Sequence, residues 1–292
     1  MASFSLAPRA GLTGVTHGLV TVTAPTHVPD GEKWRYGLGF PFQLSPTRAG
    51  IFSNIHRVSA ATWDYEMGTD CLLFDDLRGI VPESAVPLSR NHRETHPVTG
   101  REVVMVKYPL HGGFVPLGAK RADGTPHPHA GTGFGACVAV AHAADSDIAH
   151  RLDTPYAYME LSQLAYDGRA LRVTQTERVP YTALVPGAAI VNLEMGAPLP
   201  DGDDFLCTMT SSPASISEGV LPVGWEDGNI PGLARWRRGP GGWHPIDFTP
   251  VTDVPAGEPS VVRDVDGTLL FTARPTEPDN VNQTPPSRPL TT

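Results

Sequence analysis

Short runs of apolar, β-branched and aromatic residues, each closed off by Gly, Pro or Asp, recur along most of this chain. Cys71–Phe74, Val103–Tyr108, Ala136–Ala141, Ala157–Leu164, Leu171–Val179, Ala189–Leu193, Phe205–Thr210 and Thr268–Ala273 all have this form. Runs of this length and composition predict strands. Helical periodicity is nearly missing. Only Asp145–Leu152 offers a helical turn or two, and Pro155 soon stops it.

Three Asp-Gly pairs stand between strand-like flanks, in Arg121–Pro126 (RADGTP), Ala165–Leu171 (AYDGRAL) and Asp264–Leu270 (DVDGTLL). Asp-Gly supplies the positive φ that tight hairpins need. AYDGRAL is the clearest hairpin. Hairpins recurring at intervals of roughly forty to fifty residues predict an all-β protein, a β-propeller of four-stranded antiparallel blades, with a β-sandwich as the alternative. Glu258–Arg274 is similar to the blade-opening phrase of sialidase-like propellers. Arg237–His244, RRGPGGWH, resembles an Asp-box that keeps the turn glycines and Trp243 but lacks the Asp. The propeller domain is therefore drawn over 1–274. The polar, Pro-rich segment 275–292 reads as a disordered tail.

The length of 292 residues suits one large domain or two small ones. Thirty Gly and thirty Pro are dispersed without a period, which excludes collagen and suits strands joined by turns. A net charge of −9 argues against a general nucleic-acid binder, though local Arg and His can still form a positive pocket. Cys71, Cys137 and Cys207 are far apart and odd in number, so no disulfide framework is expected. No run reaches transmembrane length and no secretory leader is visible at the N-terminus. The expectation is a cytoplasmic protein by default, with no membrane partner, or a secreted one if residues precede Met1.

The candidate chemistry lies in a histidine-rich region. Seven of the eleven histidines fall between His92 and His150, and Gly131, Gly133 and Gly135 lie among them. Histidine titrates near neutrality, and glycine lets backbone approach a ligand closely. His92 and His111 flank one strand, and one can accept a proton while the other binds a hydroxyl or carboxylate. Tyr156 and Arg172 lie in the clear hairpin. Meeting there, the arginine would stabilise a phenolate or grip a carboxylate. His127 and His129 lie two apart in an extended segment, so both face one side. With Asp123, Cys207 or His244 they offer a metal site, and a solvated turn is the favoured alternative. The Asp75–Asp76 and Asp203–Asp204 pairs read as polar turns before calcium ligands. No GxSxG, HExxH or Walker A motif occurs, and GTGFGA lacks a following helix.

His92, His111, Tyr156 and Arg172, spaced by nineteen, forty-five and sixteen residues, resemble the pattern of seven-bladed β-propeller polysaccharide lyases. That group includes ulvan lyases and rhamnose–glucuronate lyases. The match runs from about His92 to Arg172. Seven blades need roughly four hundred residues, so this chain corresponds to about five. The resemblance implies β-elimination at a rhamnose–uronate linkage in an acidic, rhamnose-containing polysaccharide. Arg172 would neutralise the uronate carboxylate. His111 or Tyr156 would remove the C5 proton, Tyr156 would protonate the departing O4, and His92 would hold the carboxylate or sugar. His129, Tyr158 and Asn91 are the further substrate-binding candidates. The chemistry requires no cofactor, and a structural calcium or zinc ion is compatible with it. Two other readings stay open: a sialidase-like glycoside hydrolase and a non-catalytic carbohydrate-binding propeller.

Overall fold

The Asp-Gly pair at 167–168 folds the chain back on itself, and the same event repeats along the molecule. The computed structural model describes residues 3–4, 20–21, 34–57, 66–74, 84–143, 152–179, 188–193, 198–213 and 230–275. Most of Asp145–Leu152, the Asp75–Asp76 pair and the tail beyond 275 lie outside these residues. Among the described residues there is no helix, and all regular structure is β. The all-β expectation is met.

The strands in chain order are β1 (Ser3–Phe4), β2 (Val20–Thr21), β3 (Trp34–Gln43), β4 (Ala49–Arg57), β5 (Glu66–Phe74) and β6 (Ser84–Arg90). Next come β7 (His92–Thr95), β8 (Glu102–Val115), β9 (Thr132–Ala143), β10 (Ala157–Tyr166), β11 (Leu171–Val179) and β12 (Ala188–Leu193). The remainder are β13 (Leu199–Asp201), β14 (Asp204–Pro213), β15 (Ile230–Gly239), β16 (Gly242–Pro250), β17 (Ala256–Arg263) and β18 (Leu269–Pro275). Each predicted run falls within one of these strands, apart from Thr268, which stands one residue before β18.

Sequential strands pair antiparallel into sheets β3-β4-β5-β6, β7-β8-β9-β10-β11 and β12-β14-β15-β16, and into the ribbon β17-β18. Two of the three Asp-Gly pairs close hairpins between named strands. Asp167–Gly168 joins β10 to β11 with Gly168 at φ 92°, and Asp266–Gly267 joins β17 to β18 with Gly267 at φ 91°. The third, Asp123–Gly124, shapes a turn inside the connection from β8 to β9, where the Arg121 amide donates to the Thr125 carbonyl at 2.8 Å. The RRGPGGWH phrase is the β15–β16 hairpin, and its Trp243 is fully buried. In the Glu258–Arg274 phrase, Glu258 sits at φ 52° where the β17–β18 register shifts, and its carboxylate pairs with Arg274 at 3.0 Å.

The β7–β11 sheet lies between its two neighbours in sequence. Towards β3–β6, a buried cluster joins Leu44, Phe52, Cys71, Leu73 and Leu88 to Phe114, Leu164, Tyr166 and Leu171. Towards β12–β16, Phe134 stacks on Trp236 with centroids 4.2 Å apart, and Phe205 packs on Trp243. Gln163 crosses this second interface. Its amide accepts from the Trp243 backbone N–H at 2.7 Å and donates to the Trp243 carbonyl at 2.8 Å.

Glycines set the closeness of these contacts. A Cβ on Gly112 would lie 2.2 Å from the Phe134 carbonyl oxygen and 2.3 Å from the Phe52 ring, and one on Gly133 would lie 2.3 Å from the Gly113 carbonyl oxygen. Gly133 and Gly135 therefore serve sheet packing. The close backbone approach expected of them is to neighbouring strands and rings.

Candidate functional site

Register places a polar row on one face of the β7–β11 sheet. His92 pairs with Met105, and Lys107 pairs with Ala139. Ala139 pairs in turn with Tyr158, Cys137 with Glu160, and Glu160 with Arg178. Residues directly opposite in an antiparallel ladder share a face, as do alternate residues along a strand. His92, Glu94, Lys107, Tyr156, Tyr158, Glu160 and Arg178 thus project to the same side. Ala139 and Ala141 in the central strand are small, so the long side chains from β8 and β10 meet above them.

The side chains connect in a chain of hydrogen bonds. His92 Nε2 lies 3.1 Å from Glu94 Oε2 and 3.3 Å from the Tyr158 hydroxyl. Lys107 Nζ donates to that hydroxyl at 3.2 Å and to Glu160 Oε2 at 2.7 Å. The Ser89 hydroxyl donates to Glu160 Oε1 at 2.5 Å. Arg178 donates to Glu94 and lies over the Tyr158 ring at 4.1 Å, with Lys107 Nζ 4.9 Å from the same ring centroid. Lys107 is fully buried, whereas the side chains of His92 and Arg178 are 39% and 52% exposed. Solvent therefore reaches the imidazole and the guanidinium, with the tyrosine and lysine behind them.

Burial sets the electrostatics. Tyr158 is held well above the ordinary phenol range, by burial first and the Glu94 charge second, with Arg178 opposing. Tyr156 is raised for the same leading reason, with the Glu94 charge adding to it and Arg178 opposing. Both phenols stay protonated at neutral pH and serve as donors. Burial pushes the Cys137 thiol up to about 12, so it is an inert neighbour of Ser89.

Four of the seven residues expected at the site meet here: His92, Tyr156, Tyr158 and Asn91, whose side-chain oxygen accepts from the Lys107 backbone amide at 2.9 Å. Arg172 does not join them. It pairs across the hairpin with Ala165, nine residues along β10 from Tyr156, which is about 30 Å of extended strand. Its side chain is 66% exposed and bonds Asp167 at 3.0 Å. The reason is the direction of the hairpin: the first residues of β11 lie opposite the last residues of β10. The backbone of His111 pairs with Ala136, six residues along β8 from the partner of His92, roughly 20 Å away. Its side chain lies outside the described residues.

His129 belongs to a different place. Its ring meets the edge of Trp243 at 5.4 Å and that of His127 at 5.6 Å. His127 Nε2 stands 3.6 Å from Asp203, which also holds Arg121. The other suggested metal ligands are engaged elsewhere. Asp123 closes its own turn with Thr125, His244 bonds Glu177 at 2.9 Å, and Cys207 is fully buried. Asp204 is bound by Arg235 and Arg237. Among the described residues no group of three or more His, Cys, Asp or Glu side chains is placed to hold a metal ion.

Sequence reading missed Glu94, Lys107 and Arg178. The place of Glu160 is legible in the alternation that runs from Tyr156 into β10, where Tyr156, Tyr158, Glu160 and Ser162 fall on one side. No family model, curated protein or solved structure matches this chain.

Proposed function

We propose that this polar face is the active site of a polysaccharide lyase that acts on a uronate by β-elimination, and that the successive antiparallel sheets are blades of a propeller. The observation that carries the enzymatic reading is the triad of His92, Tyr158 and Arg178. A solvent-reached imidazole stands 3.3 Å from a protonated phenol, and an exposed guanidinium lies over the ring of that phenol. Support for the blades comes from successive antiparallel sheets, the first of four strands and the next two of five each, joined by buried side chains in chain order.

In this reading Arg178 takes the role first assigned to Arg172. Its guanidinium binds the substrate carboxylate and stabilises the negative charge that develops when C5 loses its proton. His92 accepts that proton on Nδ1, because Nε2 is engaged with Glu94 Oε2 and the Tyr158 hydroxyl. The C5–H electron pair becomes the C4–C5 double bond, the C4–O4 bond breaks, and O4 takes the proton back from His92. Glu94 and Tyr158 hold the imidazole in place through Nε2. Lys107 and Glu160 fix the Tyr158 hydroxyl from below. A buried lysine with a carboxylate partner holds one geometry, because breaking the pair would leave an uncompensated charge.

Mass analysis of the products tests the reaction class. Incubation with gum arabic or ulvan should release an oligosaccharide one water lighter at its new non-reducing end than hydrolysis would give. A saturated product would favour the sialidase-like hydrolase instead.

A further inference from the structure

One imidazole outside the polar row ties two separate pieces of chain together. His96 stands in the turn between β7 and β8 and is 1% exposed. Its Nδ1 lies 3.2 Å from the backbone nitrogens of both Val98 and Thr99, within its own turn. Its Nε2 lies 2.9 Å from the Thr154 carbonyl oxygen, on the segment that leads into β10. A ring nitrogen facing two N–H groups must offer its lone pair, and one facing a carbonyl must carry the proton. The ring is therefore neutral and in a single tautomer. Its backbone closes the same turn, donating to the Arg101 carbonyl at 2.8 Å and accepting from the Gly100 amide at 3.0 Å, with Gly100 at φ 66°. The ring also packs on Tyr156, with centroids 5.4 Å apart. Thr99 and Thr154 both line a depression of about 530 Å³ between the turn and the segment before β10. One histidine thus holds a residue on each wall.

We infer that His96 is an acid-released latch: protonation at Nδ1 frees the turn between β7 and β8 from the segment before β10, opens the depression between them and loosens the packing on Tyr156. A proton on Nδ1 turns the only acceptor of the Val98 and Thr99 amides into a third donor pointing at them. Leaving such buried donors unpaired is costly, so the charged ring turns out and Thr154 loses its tie. Glu94 in β7, Arg101 and Glu102 in β8, and Asp153 and Tyr156 before β10 are the charged and titratable groups on the elements around the ring. Glu94 is engaged by Arg178 and Glu102 by Arg93. Among the described residues neither nitrogen of His96 bonds a carboxylate, so the proton gains no anionic partner in place of the lost acceptor. Protonation of a buried histidine that biases a two-state element is a general form of pH switch. The latch operates whatever reaction the neighbouring polar face carries out.

Amide hydrogen exchange on the full chain, read residue by residue by NMR from about pH 7.5 to about pH 5, tests the latch. Protection of the Val98 and Thr99 amides, corrected for the intrinsic effect of pH on exchange, should fall roughly tenfold or more over this span. Protection of Cys207, buried in β14, should stay constant. The ring nitrogens of His96 should pass from the neutral Nε2–H form to imidazolium over the same span. In His96→Asn a side-chain oxygen can still accept from the turn but nothing titrates, so the fall in protection should disappear. The latch is overturned if wild-type protection at Val98 and Thr99 does not change with pH, or if it falls equally in His96→Asn. Should His96→Asn fail to fold, the wild-type ring decides: an imidazole that stays neutral down to about pH 5, or becomes charged while both amides stay protected, overturns the latch.

Discussion

Arg172 and Arg178 stand at opposite ends of β11, and residue counting from the hairpin turn separates them. With Asp167–Gly168 as the turn, Tyr166 faces Leu171, and a bulge near Gln163 then brings Arg178 opposite Glu160. Residue types along the strand leave both arginines as candidates, and only register distinguishes them. Arg172→Ala should therefore shift stability by less than about 0.5 kcal/mol, since exposed ion pairs contribute little; thermal unfolding measures this. His142 gives a residue-scale prediction of another kind. Burial lowers its imidazole to about 4. A group whose folded value is depressed contributes stability above its unfolded value near 6.5, and that stability is lost as pH falls towards 4. The loss should reach at most about 3 kcal/mol, the cost of keeping the imidazole neutral where the unfolded chain would protonate it. Urea unfolding of wild type and His142→Gln between these pH values should show the slope in the first and its reduction in the second.

At the scale of elements, the strands were legible because apolar runs bounded by Gly, Pro and Asp have few other uses. The faces were harder to read. β9 is buried on both sides over most of its length, so its sequence shows no alternation, and a shift of pairing at Pro109–His111 changes register within β8. Bulges of this kind leave no reliable trace in residue type. The glycines of the GTGFGA run were legible as close approaches, but not as to what approaches. Gly112→Ala should cost about 2 kcal/mol or more, because backbone and the Phe52 ring occupy the space its Cβ needs. Gly239→Ala meets nothing within 4 Å and should change stability by no more than about 0.5 kcal/mol. Denaturant midpoints of the two variants, with unchanged slopes, check the contrast.

Across the whole molecule, long-range contacts decide which polar residues meet, and these are the least visible in a sequence. Glu94 and Arg178 are eighty-four residues apart, and Lys107 and Glu160 are fifty-three. A similar tie joins the last ribbon to its neighbour. Arg263 on β17 donates to Asp201 at 2.9 Å, Arg235 bridges Asp201 and Asp204, and Arg237 grips Asp204 with two hydrogen bonds. Bonding to Arg237 first, and to Arg235, holds the Asp204 carboxyl below its ordinary value. Its contribution is complete above about pH 4 and is lost as pH falls further. Asp204→Asn should cost about 1–3 kcal/mol at neutral pH and reduce the acid sensitivity of unfolding below pH 4. Circular dichroism during acid titration reports both.

The central claim is that His92, Tyr158 and Arg178, rather than the residues around Arg172, carry out β-elimination. The most direct measurement follows ultraviolet absorbance of the unsaturated uronate during incubation with gum arabic and ulvan. Wild type and Arg172→Ala should form it at equal rates. His92→Ala and Arg178→Ala should each lose at least a hundredfold, and Tyr158→Phe at least tenfold. Equal rates in wild type and Arg178→Ala, or loss of activity only in Arg172→Ala, would contradict the account, as would the absence of unsaturated product from the wild-type protein.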